Sequence, residues 1–180
     1  LTKQENIKEQ EAKPIEPPPL ELKVVDTSHI DDIIRITWRL FYESNFVDVL
    51  TPSETVFREN LYHAIPRHLY QGVIAYEGTE PIGYILWSVE RVYTEEPMAL
   101  LFMLYVIPER RRSPLGRILV DTAEKISMDM GAKVFYAGAM AGIPKQDRML
   151  GNMFRKLGYE EMAFWGRKVL VPEEEDTGES

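Results

Sequence analysis

One stretch, LLFMLYVIPERRRSPLGRILVDTAEKISMDM from Leu100 to Met130, limits the folds open to this chain more than any other. Leu100 to Ile107 is an almost unbroken apolar run, the pattern of a strand covered on both faces. Pro108 ends it, and Glu109 to Ser113 is a polar turn that carries Arg110, Arg111 and Arg112 in succession. Ser113 and Pro114 then open a helix, the serine as N-cap and the proline at the first helical position, where a missing N–H costs least. Leu115, Ile118, Leu119, Thr122, Ile126 and Met130 recur at helical spacing, so one face of this helix is buried. A strand that feeds a helix through such a turn presents unpaired N–H groups at the helix start, ringed by guanidinium groups. That is an anion site, best matched to phosphate.

VIPERRRSPLGRIL resembles the acyl-CoA-binding turn of the GNAT N-acetyltransferases, in which a strand ending near a proline leads into Arg/Gln-x-x-Gly-x-Gly/Ala and a helix. In register, Arg111 takes the Arg/Gln position, Pro114 the first glycine and Gly116 the second. The resemblance implies an α/β (α+β) GNAT-like fold, a mixed central sheet with helices on both faces. It also implies transfer of an acyl group from acetyl-CoA to an amine, with no metal. The cofactor would be held at Val106, Arg111, Arg112, Ser113, Leu115, Gly116 and Arg117, largely through backbone amides. Its pantetheine arm would lie between the splayed ends of two parallel strands, those ending near Ile107 and Met140.

The chain departs from the family at three places. Pro114 removes an amide donor and the freedom of a glycine beside the phosphate. The family's proton-donating tyrosine, just before Gly-Tyr in NMFRKLGY, matches Phe154, which cannot donate a proton. Its helix-opening Asn matches Asp147 and its small Ala matches Leu150. A carboxylate often found on the strand is missing: Leu100 to Leu104 are all apolar, and the nearest acids, Glu90, Glu95 and Glu96, lie at the far end of a hairpin. No catalytic residue is therefore assigned. Tyr105, Tyr136 and Tyr159 are substitutes for the acid, Tyr105 being better suited to a core.

A second expectation follows from these departures: a catalytically degenerate GNAT fold that works as an assembly component. LYVIPE and the ending GYEEMAFWGRKVL resemble acetyltransferase-like proteins encoded by bacteriophages, so a virion component is its concrete form. Protein partners would then dock on the polar arm and the acidic tail.

The rest of the chain reads as one domain, 21–171, between a polar, proline-rich arm, 1–20, and an acidic tail, 172–180. Strands are expected at Glu21–Val25, Gly72–Tyr76, Ile82–Val89, Lys133–Met140 and Tyr159–Val171. Thr27 or Ser28 caps a helix through Phe41, and Thr51, followed by Pro52, caps a second; a last helix runs from about Asp147 to Leu157 after the loop GIPKQ. Trp38, Phe41, Tyr42 and Phe46 are core at helical spacing. The net charge is −8, with Glu173, Glu174, Glu175, Asp176 and Glu179 all in the tail, which could itself compete for the anion site. An acidic chain without a basic face argues against nucleic acid as a partner. With no cysteine, disulfides and thiolate chemistry are excluded. His29, His63 and His68 are scattered and lack metal spacing. No apolar run reaches membrane-spanning length, and a cytoplasmic life in the host cell, or a place in a virion under the second expectation, follows.

Overall fold

The computed structural model describes residues 18–44, 51–92, 94–138 and 144–160. The arm before Pro18, Phe46, the expected strand Tyr159–Val171 beyond its first two residues and the acidic tail lie outside the described residues.

Among the described residues, five strands make one sheet in chain order, β1 (Leu20–Val24), β2 (Gln71–Glu77), β3 (Glu80–Glu90), β4 (Met98–Val106) and β5 (Val134–Tyr136). The first three pairings are antiparallel and the last, β4 with β5, is parallel. The helices α1 (Ile30–Glu43) and α2 (Glu54–Ala64) precede β2, α3 (Leu115–Asp129) joins β4 to β5, and α4 (Pro144–Lys156) follows.

Strand alternation builds a core on each face. Ile74, Tyr76, Tyr84, Leu86 and Tyr105 pack with Ile30, Ile33, Leu40 and Leu61 from α1 and α2. Val73, Ala75, Ile85, Trp87 and Ala99 pack with Leu115, Leu119, Val120 and Ala123 from α3 and Phe154 from α4. This is the mixed sheet with helices on both faces that the sequence predicts. Trp38 packs on the first core and meets Phe41 edge-on, whereas Tyr42 is 78% exposed and belongs to no core.

Several local expectations are corrected. Neither Thr27 nor Ser28 is a cap: both lie in a 3₁₀ turn, Thr27–His29, that leads into α1 and is capped by Asp26, whose carboxylate accepts from the Ser28 amide at 2.8 Å while the His29 ring accepts from the Asp26 amide at 3.2 Å, a capping box with histidine in the usual Glu/Gln place; the N-cap of α1 is His29. The cap of α2 is Ser53, whose Oγ accepts from the Val56 amide, so the cap lies two residues after Thr51 and the helix starts at Glu54. The last helix opens at Pro144 rather than Asp147, because proline suits a first helical turn; the expected loop loses Pro144, Lys145 and Gln146 to it. β5 is three residues long, not eight. β4 is not covered on both faces: Ala99 and Tyr105 are buried, but Phe102 is 49% exposed. The reason lies in the pairing. β5 reaches only Leu100, and the β3 ladder jumps from Leu101 opposite Trp87 to Met103 opposite Leu86, leaving Phe102 as a bulge.

Candidate active site

The parallel pair ends at Leu100 opposite Tyr136. Beyond it, among the described residues, the outer edge of β4 from Leu101 to Val106 has no strand partner, so β4 and β5 form a fork that opens toward the start of α3. The bulge at Phe102 lies at its base. Gly83 keeps the far end of β4 close to β3, since a Cβ there would meet the Tyr105 carbonyl oxygen at 2.9 Å.

At the mouth of the fork the chain makes a single 3₁₀ turn, Pro108–Arg110, before α3. Most polar groups here are committed. The amides of Arg110, Arg111 and Ser113 donate to the carbonyls of Ile107, Pro108 and Arg110. Ser113 Oγ donates to the Arg110 carbonyl and accepts from the Leu115 amide at 3.3 Å, and the Ile118 amide reaches the Pro114 carbonyl. Among the described residues, the N–H groups of Arg112, Gly116 and Arg117 have no acceptor. The N-cap of α3 is Pro114 rather than Ser113, and the first helical residue is Leu115; with no N–H to give, Pro114 removes no bond that the turn uses.

The three arginines diverge. Arg110 makes a two-point ion pair with Glu77, which holds that carboxyl below its ordinary range. Arg111 turns back on the fold: Nε donates to the Val106 carbonyl at 2.9 Å, Nη1 meets Glu43 at 2.6 Å and the guanidinium lies 5.4 Å from the Tyr105 ring. Arg111 Nη2 is buried without a partner among the described residues. Arg39, one helical turn before Glu43, pairs with Glu109 at 2.7 and 3.0 Å. Arg112 alone of the three is exposed and makes no ion pair among the described residues. The charge available to an anion is therefore smaller than the run of arginines suggests. Arg117 lies along α3 beside Asp121, at 3.3 Å.

Beside the unpaired amides, a cleft of about 410 Å³ separates α3 from α4. Arg117 and Lys156 stand over an apolar floor of Met149, Met153 and Leu157, with Asn152 between. A second cleft, about 590 Å³ between α1 and the β2–β3 hairpin, holds Arg35, Arg39 and Arg110, each already paired with a glutamate, so it offers no free charge.

The candidate acids also separate. Phe154 is buried in the second core against Tyr159. Tyr159 donates to Glu124 on α3, and burial first, then that carboxylate, pushes its phenol far above the ordinary range. Tyr105 is buried and donates to Glu43 at 2.9 Å, with the same two causes in the same order. Tyr136 sits at the base of the fork, 39% exposed, and no described residue bonds its hydroxyl. Leu150 is partly buried in the second core, and Asp147 lies in the first turn of α4. Among the described residues no three His, Asp or Glu side chains converge as a metal site would require, and no helix is long and apolar enough to cross a membrane.

A parallel fork with a bulged inner strand, opening onto unpaired amides at a helix start, is the arrangement of an acyl-CoA acetyltransferase domain. The chain matches the acetyltransferase (GNAT) family over residues 30–159 and belongs to it. Its fold is similar to that of an aminoglycoside N-acetyltransferase solved with CoA, at a TM-score of 0.67 and 14% identity over 83% of this chain and 95% of that one. It is similar too to an aminoglycoside acetyltransferase from an uncultured soil metagenomic sample, with TM-score 0.66, 19% identity and coverage of 84% and 97%. A GCN5-related N-acetyltransferase from Ralstonia eutropha aligns with TM-score 0.66 and 16% identity over 84% and 99%. No curated protein matches the chain in sequence.

Proposed function

We propose that the chain transfers an acyl group from acetyl-CoA to an amine. The observation that carries this reading is the unpaired edge of β4 leading straight to the free amides of Arg112, Gly116 and Arg117. An amide-bearing arm can add to that edge as a strand would, and a pyrophosphate can take the three N–H groups. Gly116 supports the fit. A Cβ there would meet nothing closer than Met153 Sδ at 3.5 Å, so the protein's own packing does not demand glycine. Close approach of a ligand to the backbone gives glycine a reason. Arg112 supplies charge to the phosphates, and the cleft with Arg117, Asn152 and Lys156 suits the adenosine end.

When bound, acetyl-CoA supplies the thioester; the neutral amine nitrogen forms a bond to its carbonyl carbon and gives up one proton, the C–S bond breaks, and the sulfur takes a proton. Tyr136 is the hydroxyl we assign to that last step, because it lies at the base of the fork while Tyr105 and Tyr159 are held by carboxylates. The aminoglycosides named for two of the structural neighbours are substrates of those proteins; at 14% and 19% identity they say nothing about the acceptor here.

The test is thermal unfolding with and without acetyl-CoA, followed by thiol release with an amine panel. Ligand at a hundred times its Kd stabilises by about 2.7 kcal/mol, a clear shift. No shift at millimolar acetyl-CoA would overturn the reading. The buried Phe154 favours a second one, a fold that binds CoA without transfer and serves in assembly, whether or not in a virion. It predicts the thermal shift with no thiol release for any amine.

A further inference from the structure

A large aromatic residue left half exposed in a sheet is unusual when the same strand has two cores to enter. Phe102 is such a residue. The bulge leaves it unpaired, and its ring stacks on Tyr70, in the segment between α2 and β2, with centroids 4.6 Å apart and planes 15° from parallel. Its neighbour Met103 packs on the core beneath α1 and α2, so the bulge gives Phe102 to that side of the sheet. Leu69, beside Tyr70, is 50% exposed. The two rings therefore form a flat apolar step at the base of the fork, with Phe102 two residues beyond the point where Leu100 and Tyr136 pair.

Glu90, at the end of β3, pairs with Met98 in the same β3–β4 ladder, four residues before Phe102 on β4. It is exposed and makes no ion pair among the described residues, and its charge adds to burial in raising the pKa of the Tyr70 phenol. A free carboxylate at the edge of an aromatic step is complementary to a cation carried on a flat apolar body.

We infer that Phe102, Tyr70 and Glu90 form the acceptor subsite, and that the acceptor is an amine borne on an aromatic or similarly flat apolar group, an arylalkylamine in chemical class. The inference rests on the acyltransfer reading for the word acceptor, but the subsite itself does not need CoA to be seen. Phe102 stacks the apolar body, Glu90 holds the ammonium, and the amine that loses its proton beside Tyr136 enters the fork from the α1/α2 side. A polycationic aminosugar would find one unpaired carboxylate and an apolar floor, a poor match to its many hydroxyl and ammonium groups.

The experiment titrates 2-phenylethylamine, and separately spermidine and an aminosugar, into the full chain without CoA. Calorimetry reads affinity and the ring-proton shifts of Phe102 and Tyr70 read location. Phenylethylamine should bind with shifts at both rings. Phe102→Ala and Glu90→Gln should each weaken it tenfold or more, Phe102→Leu less than Phe102→Ala, and Glu90→Gln should leave the CoA affinity measured in parallel unchanged. Equal binding in Phe102→Ala and the native chain, no ring shifts, or tighter binding of spermidine or the aminosugar would overturn the subsite. Phenylethylamine binding with normal mutant losses but no CoA binding would leave the subsite standing and remove acyl transfer instead.

Discussion

The middle of the sheet and the fork are built from the same kinds of residue to opposite ends. Along β2 and β3, Val73 to Tyr76 and Ile82 to Trp87 are buried, and alternate side chains enter the two cores without remainder. Along the outer part of β4 the ladder stops, an aromatic ring stands in the open, and the turn that follows keeps amides without acceptors. Unpaired backbone groups and half-exposed apolar surface are costly. Their concentration at one place, beside a middle where Trp87 Nε1 is the one buried side-chain polar atom without a partner among the described residues, separates the part that stabilises the fold from the part shaped for something else.

Substitutions can break or sharpen this contrast. Gly83→Val belongs to the closed region although it lies near the turn: its side chain would drive into the Tyr105 carbonyl, and we expect a loss of about 3 kcal/mol in urea unfolding. Tyr136→Phe belongs to the fork. It should lower kcat about a hundredfold in a thiol-release assay, with stability and CoA affinity unchanged. Arg111→Ala should behave as a closed-region change, costing about 2 kcal/mol of stability by leaving Glu43 and the Val106 carbonyl short of a donor. Arg112→Ala should cost no stability and weaken CoA about tenfold, roughly 1.4 kcal/mol, read by calorimetry. The same weakening from Arg111 and none from Arg112 would reverse the assignment.

The smallest effect is on pH. The carboxyl of Glu77 is held below its ordinary range by the Arg110 hydrogen bond, and that of Glu109 by a backbone hydrogen bond and then Arg39. In acid the unfolded chain then binds more protons than the folded one. Their stabilisation is present above the ordinary carboxylate pKa near 4.5 and is lost as pH falls through the depressed folded values. Arg110→Gln should flatten that acid limb in a pH series of unfolding midpoints, by lowering the neutral value slightly while leaving the value in strong acid nearly unchanged.

Much of this was legible in the chain because the relevant signals are local. The apolar run closed by Pro108, the Ser113–Pro114 opening and the helical stripe from Leu115 are all short-range patterns, and they located β4, the turn and α3. What escaped depends on partners far away in sequence. Glu77 meets Arg110 from 33 residues off and Glu43 meets Arg111 from the end of α1, so three arginines that read as one basic ring divide among three roles. Exposure of Phe102 was hidden because LLFMLY is apolar throughout, and such a run carries no alternation to betray a bulge. His29 and Ser53 displaced the expected caps by one or two residues, within the usual play of helix ends.

The central claim is that the open edge of β4 and the amides before and within the first turn of α3 receive CoA. Hydrogen exchange on the full chain, with and without saturating acetyl-CoA, tests it most directly. The account predicts slowed exchange in peptides covering Leu101 to Arg117, with those of β2 and the inner part of β3 unchanged. Exchange across Leu101 to Arg117 that is the same with and without ligand, while the ligand binds elsewhere or not at all, would contradict it.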